Sequence, residues 1–333
     1  MSSNLDFKII AETAFSHEGD YNYLLSQIDA AVTGNADYVK FQVLLDPAGY
    51  FSSKIAINDS KKHLFSEEEW QKVFDYSKDK GLGIIALPLE NRSANFCAQN
   101  SELIDKYEIH SVCFFDYEIA EILKITDNDI LLGVGGRHPK EISDVAHQFA
   151  GNRIILMTGF QAFPTELEYA ELGKIKQYKD LFRYEVGYAD HSTFEDDSYL
   201  QLNEAALFCG ATFFEKHIVV EKGRKRIDYE SAVSVKEFIK MRERLEVAEK
   251  VMGKGNVFNL NSKEQKYRER EKAVVYKSNF KCGHILTKTD ICLRVATEKS
   301  DFSQCDYRKL IGEEIRSDVE FGEPVKFKHI GGL

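Results

Sequence analysis

Apolar residues recur along the first 250 positions in two rhythms that take turns. Short, nearly continuous apolar runs of strand length alternate with segments whose apolar residues stand three and four apart, the helical spacing. The runs are FKIIAE (7–12), ADYVKFQV (36–43), LGIIALP (82–88), IHSVCFF (109–115), DILLGV (129–134), RIILMT (153–158), LFRYEVG (181–187) and ATFFEKHI (211–218). Helical segments between them include YNYLLSQIDAAV (21–32), SEEEWQKVFDYSKDKG (66–81), residues 90–100, PKEISDVAHQFA (139–150), FEDDSYLQLNEAALFCG (194–210) and SVKEFIKMRERLEVAEKVMG (234–253). Ser66 is placed to cap its helix, with Glu69 three residues on and Gly81 at the stop. Eight strand–helix units predict an α/β fold of the (β/α)8 TIM-barrel type. A doubly wound open sheet is the alternative, weakened because no GxGxxG turn follows the first strand.

The pattern stops at Gly253. Residues 254–272, KGNVFNLNSKEQKYREREK, are polar and highly charged and read as a linker with a short helix. From Ala273 the chain turns to short strands and glycine turns, a compact β-rich module over 273–333. A module of that size is marginal alone and is expected to dock on something. The expected domains are therefore 1–253, a linker over 254–272, and 273–333.

Composition narrows the function classes. Hydrophobic residues make up 43% and charged residues 29%, as in ordinary globular proteins. The net charge of −10 argues against a nucleic-acid surface. No run of 18 apolar residues suggests a membrane span, and the opening MSSNLDFKII lacks a signal peptide's apolar core. A cytoplasmic location is expected. The six cysteines are scattered without a CxxC pair, which fits free thiols better than disulfides or a thiolate zinc site.

ATFFEKHIVV (211–220) places Glu215, Lys216 and His217 inside an apolar run. Buried ionisable groups are costly unless paired or bound. In a TIM barrel the chemistry gathers where strands end. Those ends carry Glu12, then Lys40 and Gln42, then Tyr188, Asp190 and His191, then Glu215, Lys216 and His217, with Asp228 in the loop beyond. His191 and His217 fall at the same end of neighbouring strands, with carboxylates near, a plausible divalent-metal site. Alternation puts Glu215 and His217 on the interior face, while Lys216 faces the helix layer or escapes at the strand tip. A lone histidine at a strand end is more often a hydrogen-bonded core residue, and Lys40 could be a snorkelling surface lysine. Two histidines at adjacent strand ends, each preceded by a carboxylate, favour a site.

At these residues the sequence resembles the sialic acid synthases and their relatives that make nonulosonic acids. IIAETAFSHEGD (9–20) is similar to the family's opening strand and its Asn-His-x-Gly-Asp. ADYVKFQ (36–42) is similar to Ala-Asp-x-Val-Lys-Phe-Gln, GYADHS (187–192) to Gly-Tyr-Ser-Asp-His-Thr, and FFEKHI (213–218) to the Glu-Lys-His element. The end, from about Ala273, resembles the family's antifreeze-like (SAF) domain. The resemblance implies a TIM barrel whose small domain reaches over the partner's barrel in a homodimer. It implies condensation of phosphoenolpyruvate with an aldose such as N-acetylmannosamine, using Mn²⁺ or Mg²⁺. It makes His191 and His217 metal ligands, Glu12 catalytic, and Lys40 a phosphoenolpyruvate contact. It also puts Asp228 and Arg294 near the sugar. With the other strand-end groups, the candidate catalytic set is Glu12, Lys40, Asp190 and Glu215. The candidate substrate contacts are Lys40, Gln42, Gln161, Tyr188, Lys216, Asp228 and Arg294.

The sequence also departs from that family. Its Ser-Thr-Pro on strand 3 is Ala86-Leu87-Pro88 here, and SVCFFD (111–116) supplies neither the Lys nor the Ser of its Lys-Ile-x-Ser. Gln161 is nearest to a strand 6 Asn, and Ala189 replaces a Ser. Leu87, Phe114 and Phe115 are expected to make the phosphate pocket apolar, so phosphoenolpyruvate binding is expected to be millimolar or weaker unless backbone amides substitute. Three readings stand: a phosphoenolpyruvate-dependent sugar-acid synthase, a metal-dependent enzyme with a changed donor, and a non-catalytic ligand-binding homologue.

Overall fold

The computed structural model describes residues 7–159, 162–253 and 257–330. The chain divides into two compact units between Gly253 and Lys254.

In the first unit the strands are β1 (Lys8–Glu12), β2 (Tyr38–Val43), β3 (Gly83–Pro88), β4 (Lys106–Ile109), β5 (Asp129–Gly133), β6 (Ile154–Thr158), β7 (Glu185–Asp190) and β8 (Phe213–Ile218). Each pairs in parallel with the next, and β1 pairs with β8, so the sheet closes. That closure settles the fold as a TIM barrel and rules out the open sheet. Helices follow the strands in turn: α1 (Tyr21–Thr33), α2 (Glu67–Asp79), α3 (Asn91–Gln99), α4 (Tyr117–Leu123), α5 (Pro139–Gln148), α6 (Gly173–Phe182), α7 (Ser198–Phe208) and α8 (Val235–Met252). Ser66 and Glu69 form the capping box at the start of α2. A two-residue strand, β9 (Ala232–Val233), adds to the edge of β8.

The period of two in the strands sorts side chains between two cores. Ile10, Ile85, Leu131, Ile155, Met157, Ala189 and Phe213 fill the barrel interior. The larger core lies between strands and helices, where Phe41, Trp70 and Phe74 meet ring to ring. Among the described residues, no helix is long and apolar enough to cross a membrane.

Two strands differ from the pattern reading. The fourth is Lys106–Ile109, not 109–115. The apolar run beyond it is a 3-10 turn, Ser111–Cys113, in which His110 accepts from the Val112 N–H and Val112 is 61% exposed. The true strand was hidden because Lys106 and Glu108 point into the barrel, which breaks the apolar run. The seventh strand is Glu185–Asp190; Leu181 and Phe182 instead end α6, which stops at Arg183 in a left-handed conformation of φ 60°.

The loop from β1 to α1 explains SHEGD. His17 accepts from the Gly19 N–H, and Asp20 caps α1 through the Tyr23 N–H. A Cβ on Gly19, at φ +82°, would lie 2.0 Å from the Lys62 carbonyl oxygen, so only glycine fits. Glu18 accepts from Arg226 and from the Ile227 N–H, tying this loop to the one after β8. Burial, with His63 and Arg226 nearby, brings the His17 imidazole down from 6.5 to about 3. A base held neutral in the fold contributes stability that is complete above 6.5 and is lost as pH falls towards 3. Thermal unfolding between those values should therefore show a smaller acid loss in His17→Asn than in wild type. An unchanged acid limb would contradict this.

The second unit contains a short helix, α9 (Ser262–Arg268), and an antiparallel pair, β10 (Ala273–Tyr276) and β11 (Ile291–Arg294). Val274, Tyr276, Leu286, Ile291, Leu310, Ile315, Val319 and Val325 form its own core.

Candidate active site

The C-terminal ends of β1, β2, β4, β7 and β8 converge on a cavity of about 190 Å³. Glu12, Lys40, Gln42, Glu108, His191, Glu215, His217 and Asp228 all line it. Register explains the convergence: Glu12 stands directly beside Lys40 on one side and His217 on the other.

Lys40 sits at the centre, 2% exposed. Its Nζ lies 2.7 Å from Glu215, 2.8 Å from Glu108 and 3.0 Å from Glu12. Glu108 accepts an aligned hydrogen bond, while Glu215 approaches as an ion pair without that alignment. Burial alone would lower the ammonium, but the three carboxylates outweigh it and hold it well above its ordinary value. Burial would raise Glu12 too, yet Lys40 and His217 outweigh that and hold it well below the carboxylate range. For Glu108 and Glu215 burial prevails over Lys40, and both are pushed up. One cluster thus holds an ionised carboxylate beside two that retain protons more readily.

Glu12, His191 and His217 each offer a ligand atom within 4.8 Å of the others, and all three are buried. His217 Nε2 is 3.4 Å from Glu12 Oε2. Each histidine is oriented through its other nitrogen. His191 Nδ1 is 3.0 Å from the Ala189 carbonyl, and His217 Nδ1 is 3.4 Å from Ser231 Oγ. That outer support is what metal-binding imidazoles use. Gln42 donates to the other oxygen of Glu12 at 2.8 Å. Burial, with His217 next to it, holds the His191 imidazole well below its ordinary value, so it is neutral and able to coordinate. Two imidazoles and a carboxylate fit a divalent cation. Phe163, 6.1 Å from both imidazoles between ring centres, lies against the pair.

Several expectations are corrected. Asp190 and Lys216 do not face the cavity. They pair at 3.3 Å on the helix side of the barrel; Asn203 of α7 donates to Asp190, and Lys216 donates to the Ser192 carbonyl. Their place on β7 and β8 is one residue out of phase with the interior set, so they brace strands to helix and stay out of the cavity lining. Tyr188 shares that phase and is fully buried in the outer core. Leu87 and Phe114 also belong to the outer core, and Phe115 lies outside the cavity, so the pocket is acidic and not apolar. Gln161 lies outside the described residues. Arg294 stands on β11 of the second unit, its guanidinium 5.0 Å from the Phe321 ring.

Glu108, His110 and Ser111 were missed. With β4 correctly placed, Glu108-Ile109-His110-Ser111 lies in the register of Lys-Ile-x-Ser. The serine is kept, and a glutamate stands where that pattern has lysine. Burial, with Lys40 nearby, lowers the His110 imidazole to about 4.

Comparison with known proteins agrees with this geometry. Over 341 residues the chain is 22% identical to a pseudaminic acid synthase of Campylobacter jejuni, covering 96% of this chain and 95% of the relative. A sialic acid synthetase from Leptospira borgpetersenii, solved with citrate, superposes with a TM-score of 0.71 at 26% identity, over 79% of this chain and 91% of that one. A Chromobacterium violaceum protein, described as a candidate spore coat polysaccharide biosynthesis protein E, superposes with a TM-score of 0.83 over 97% and 99%; at 19% identity it speaks for the fold alone. The NeuB family profile matches residues 27–257, more than half the chain, and with the closed barrel and the glutamate–histidine cluster at its mouth it makes this protein a divergent member of the NeuB family.

Proposed function

We propose that this protein is a metal-dependent synthase that joins a three-carbon enol donor to the aldehyde of an amino-sugar aldose, such as N-acetylmannosamine, to give a nonulosonic acid. The observation that carries the reading is the buried trio of Glu12, His191 and His217 beside Lys40. A divalent cation held there, Mn²⁺ or Mg²⁺, would supply Lewis-acid polarisation of the aldehyde. With phosphoenolpyruvate, donor C3 bonds to the aldehyde carbon and the aldehyde oxygen gains a proton. Water then adds at C2 and phosphate leaves. Glu12, kept ionised, is the base that orients that water and takes its proton. Glu108 and Glu215, whose protons are held more tightly, are the acids nearest the site. Asp228, held in the loop after β8, lines the opening where a sugar hydroxyl could pair with it. From the same resemblance we propose a homodimer acting in the cytoplasm.

A second reading keeps the metal and the aldose but changes the donor. It is favoured by Glu108, whose bond to Lys40 occupies the ammonium that a phosphate or carboxylate would need. Incubation with Mn²⁺, a panel of amino-sugar aldoses, and either phosphoenolpyruvate or pyruvate tests both. A 2-oxo sugar acid should form, vanish with chelator and return with Mn²⁺; phosphate release identifies the donor. No product with either donor on any aldose would overturn the synthase reading.

A further inference from the structure

The catalytic cavity is small and negative. Its volume of about 190 Å³ is below the usual span of ligand sites, yet the proposed reaction must hold two substrates. Four carboxylates, Glu12, Glu108, Glu215 and Asp228, face it against the single ammonium of Lys40. Apart from a cation held by Glu12 and the two histidines, an anionic group placed there would meet carboxyl groups and a lysine already engaged by three of them.

A second cleft, of about 400 Å³, opens beside it between the loops that follow β5 and β6. The two share Gly135 and Thr158 as a common wall, and together they fall within the usual range. The charge balance of this cleft is the reverse. Arg137 and Lys174 line it as cations, with Glu171 as the one carboxylate among its lining residues, and the His138 imidazole stands beside them. Arg137 is braced, donating to the Ser111 carbonyl with its plane near the Phe114 and Phe115 rings, 5.1 and 5.2 Å away, and its Nε has no partner. Ser111 belongs to the catalytic cavity, so this arginine links the two spaces. Lys174 pairs with Glu171 on the half-exposed rim, the kind of surface pair that exchanges partners at little cost. Among the described residues the N–H groups of Gly135 and Gly136 donate to no protein acceptor, and Gly136 has φ +70°. Such a turn presents amides to an anion.

We infer that the cleft lined by Arg137, His138 and Lys174 is the anion subsite of the active site, seating the phosphate of one substrate while its reacting carbon lies at Glu12, His191 and His217. The inference rests on the two-substrate reading of the site. It moves the anion from Lys40, whose charge is taken by three buried carboxylates, to Arg137, whose carboxylate partner Glu141 stands 3.9 Å off, and to Lys174, whose partner Glu171 is half-exposed.

Calorimetric titration of the full chain in Mn²⁺ tests this with two matched pairs: phosphoenolpyruvate against pyruvate, and N-acetylmannosamine 6-phosphate against N-acetylmannosamine. In at least one pair the phosphorylated compound should bind tenfold or more tightly, and the responding pair identifies which substrate carries the anion. Lys174→Ala, at an exposed position, and Arg137→Gln should each remove most of that preference, with Mn²⁺ binding unchanged. Equal affinities in both pairs, or a preference that survives both substitutions, would overturn the subsite. Mn²⁺ binding on the same samples separates the two ideas: if it is retained while the preference is absent, the subsite fails and the metal reading stands. If Mn²⁺ fails to bind while the preference persists, the metal reading fails and the subsite stands.

Discussion

Lys40→Met should lower the stability of the fold by about 3–5 kcal/mol at neutral pH, the usual cost of removing one partner from a buried charge cluster. Methionine keeps the length of the side chain but leaves Glu12, Glu108 and Glu215 without the cation they share. Buried carboxylates that lack a cation have folded-state pKa values raised above the unfolded value of about 4.3. A raised folded pKa gives stability that is complete below the unfolded value and is lost as pH rises. The deficit of the variant relative to wild type should therefore be small near pH 4–5 and grow towards pH 8. Urea unfolding of both proteins across that range measures it. A deficit that stays constant with pH would mean that Lys40 acts by packing and that the carboxylates are relieved by some other group.

His191→Ala and His217→Ala should each abolish stabilisation by Mn²⁺. At a hundred times the dissociation constant, a metal bound only to the folded state adds about 2.7 kcal/mol. Loss of one imidazole from a three-residue set removes a third of the protein ligands, and Glu12 alone with the other histidine does not fix a cation in place. Thermal unfolding with and without Mn²⁺ should show the shift in wild type and none in either variant. A full shift in the double variant would put the metal elsewhere.

Most of the barrel was legible in the chain because its strands are buried on both faces and read as apolar runs. The two misplaced strands each adjoin apolar residues that belong to another element, the turn at Ser111–Cys113 after β4 and the helix end at Leu181 and Phe182 before β7. β4 presents Lys106 and Glu108 to the interior, so its polar residues look like a loop, while the apolar turn after it looks like a strand. The shifted register then hid Glu108 and Ser111, and the acidic character of the pocket went with them. The histidine pair was readable because His191 and His217 stand at the ends of strands that become neighbours on closure; Glu12, read from the sequence as catalytic alone, joins them as a third possible ligand only in the folded barrel. The helix-side roles of Asp190 and Lys216 were half readable. Alternation in EKH predicts that Lys216 points outward, and register then brings Asp190 beside it. Burial of three ionisable residues in one strand is tolerated because the two faces satisfy them separately: Glu215 and His217 in the site, Lys216 on Asp190 and Ser192. No periodicity could announce the cleft at Arg137 and Lys174, since its lining comes from two loops and a helix that meet only in the folded barrel.

The proposed reaction requires a metal at the mouth of the barrel. Anomalous diffraction from crystals of the full chain soaked in Mn²⁺ addresses that directly. The expected result is one strong peak within coordination distance of a Glu12 carboxylate oxygen and one ring nitrogen each of His191 and His217. Absence of a peak there at saturating Mn²⁺, with the three side chains ordered, would contradict it.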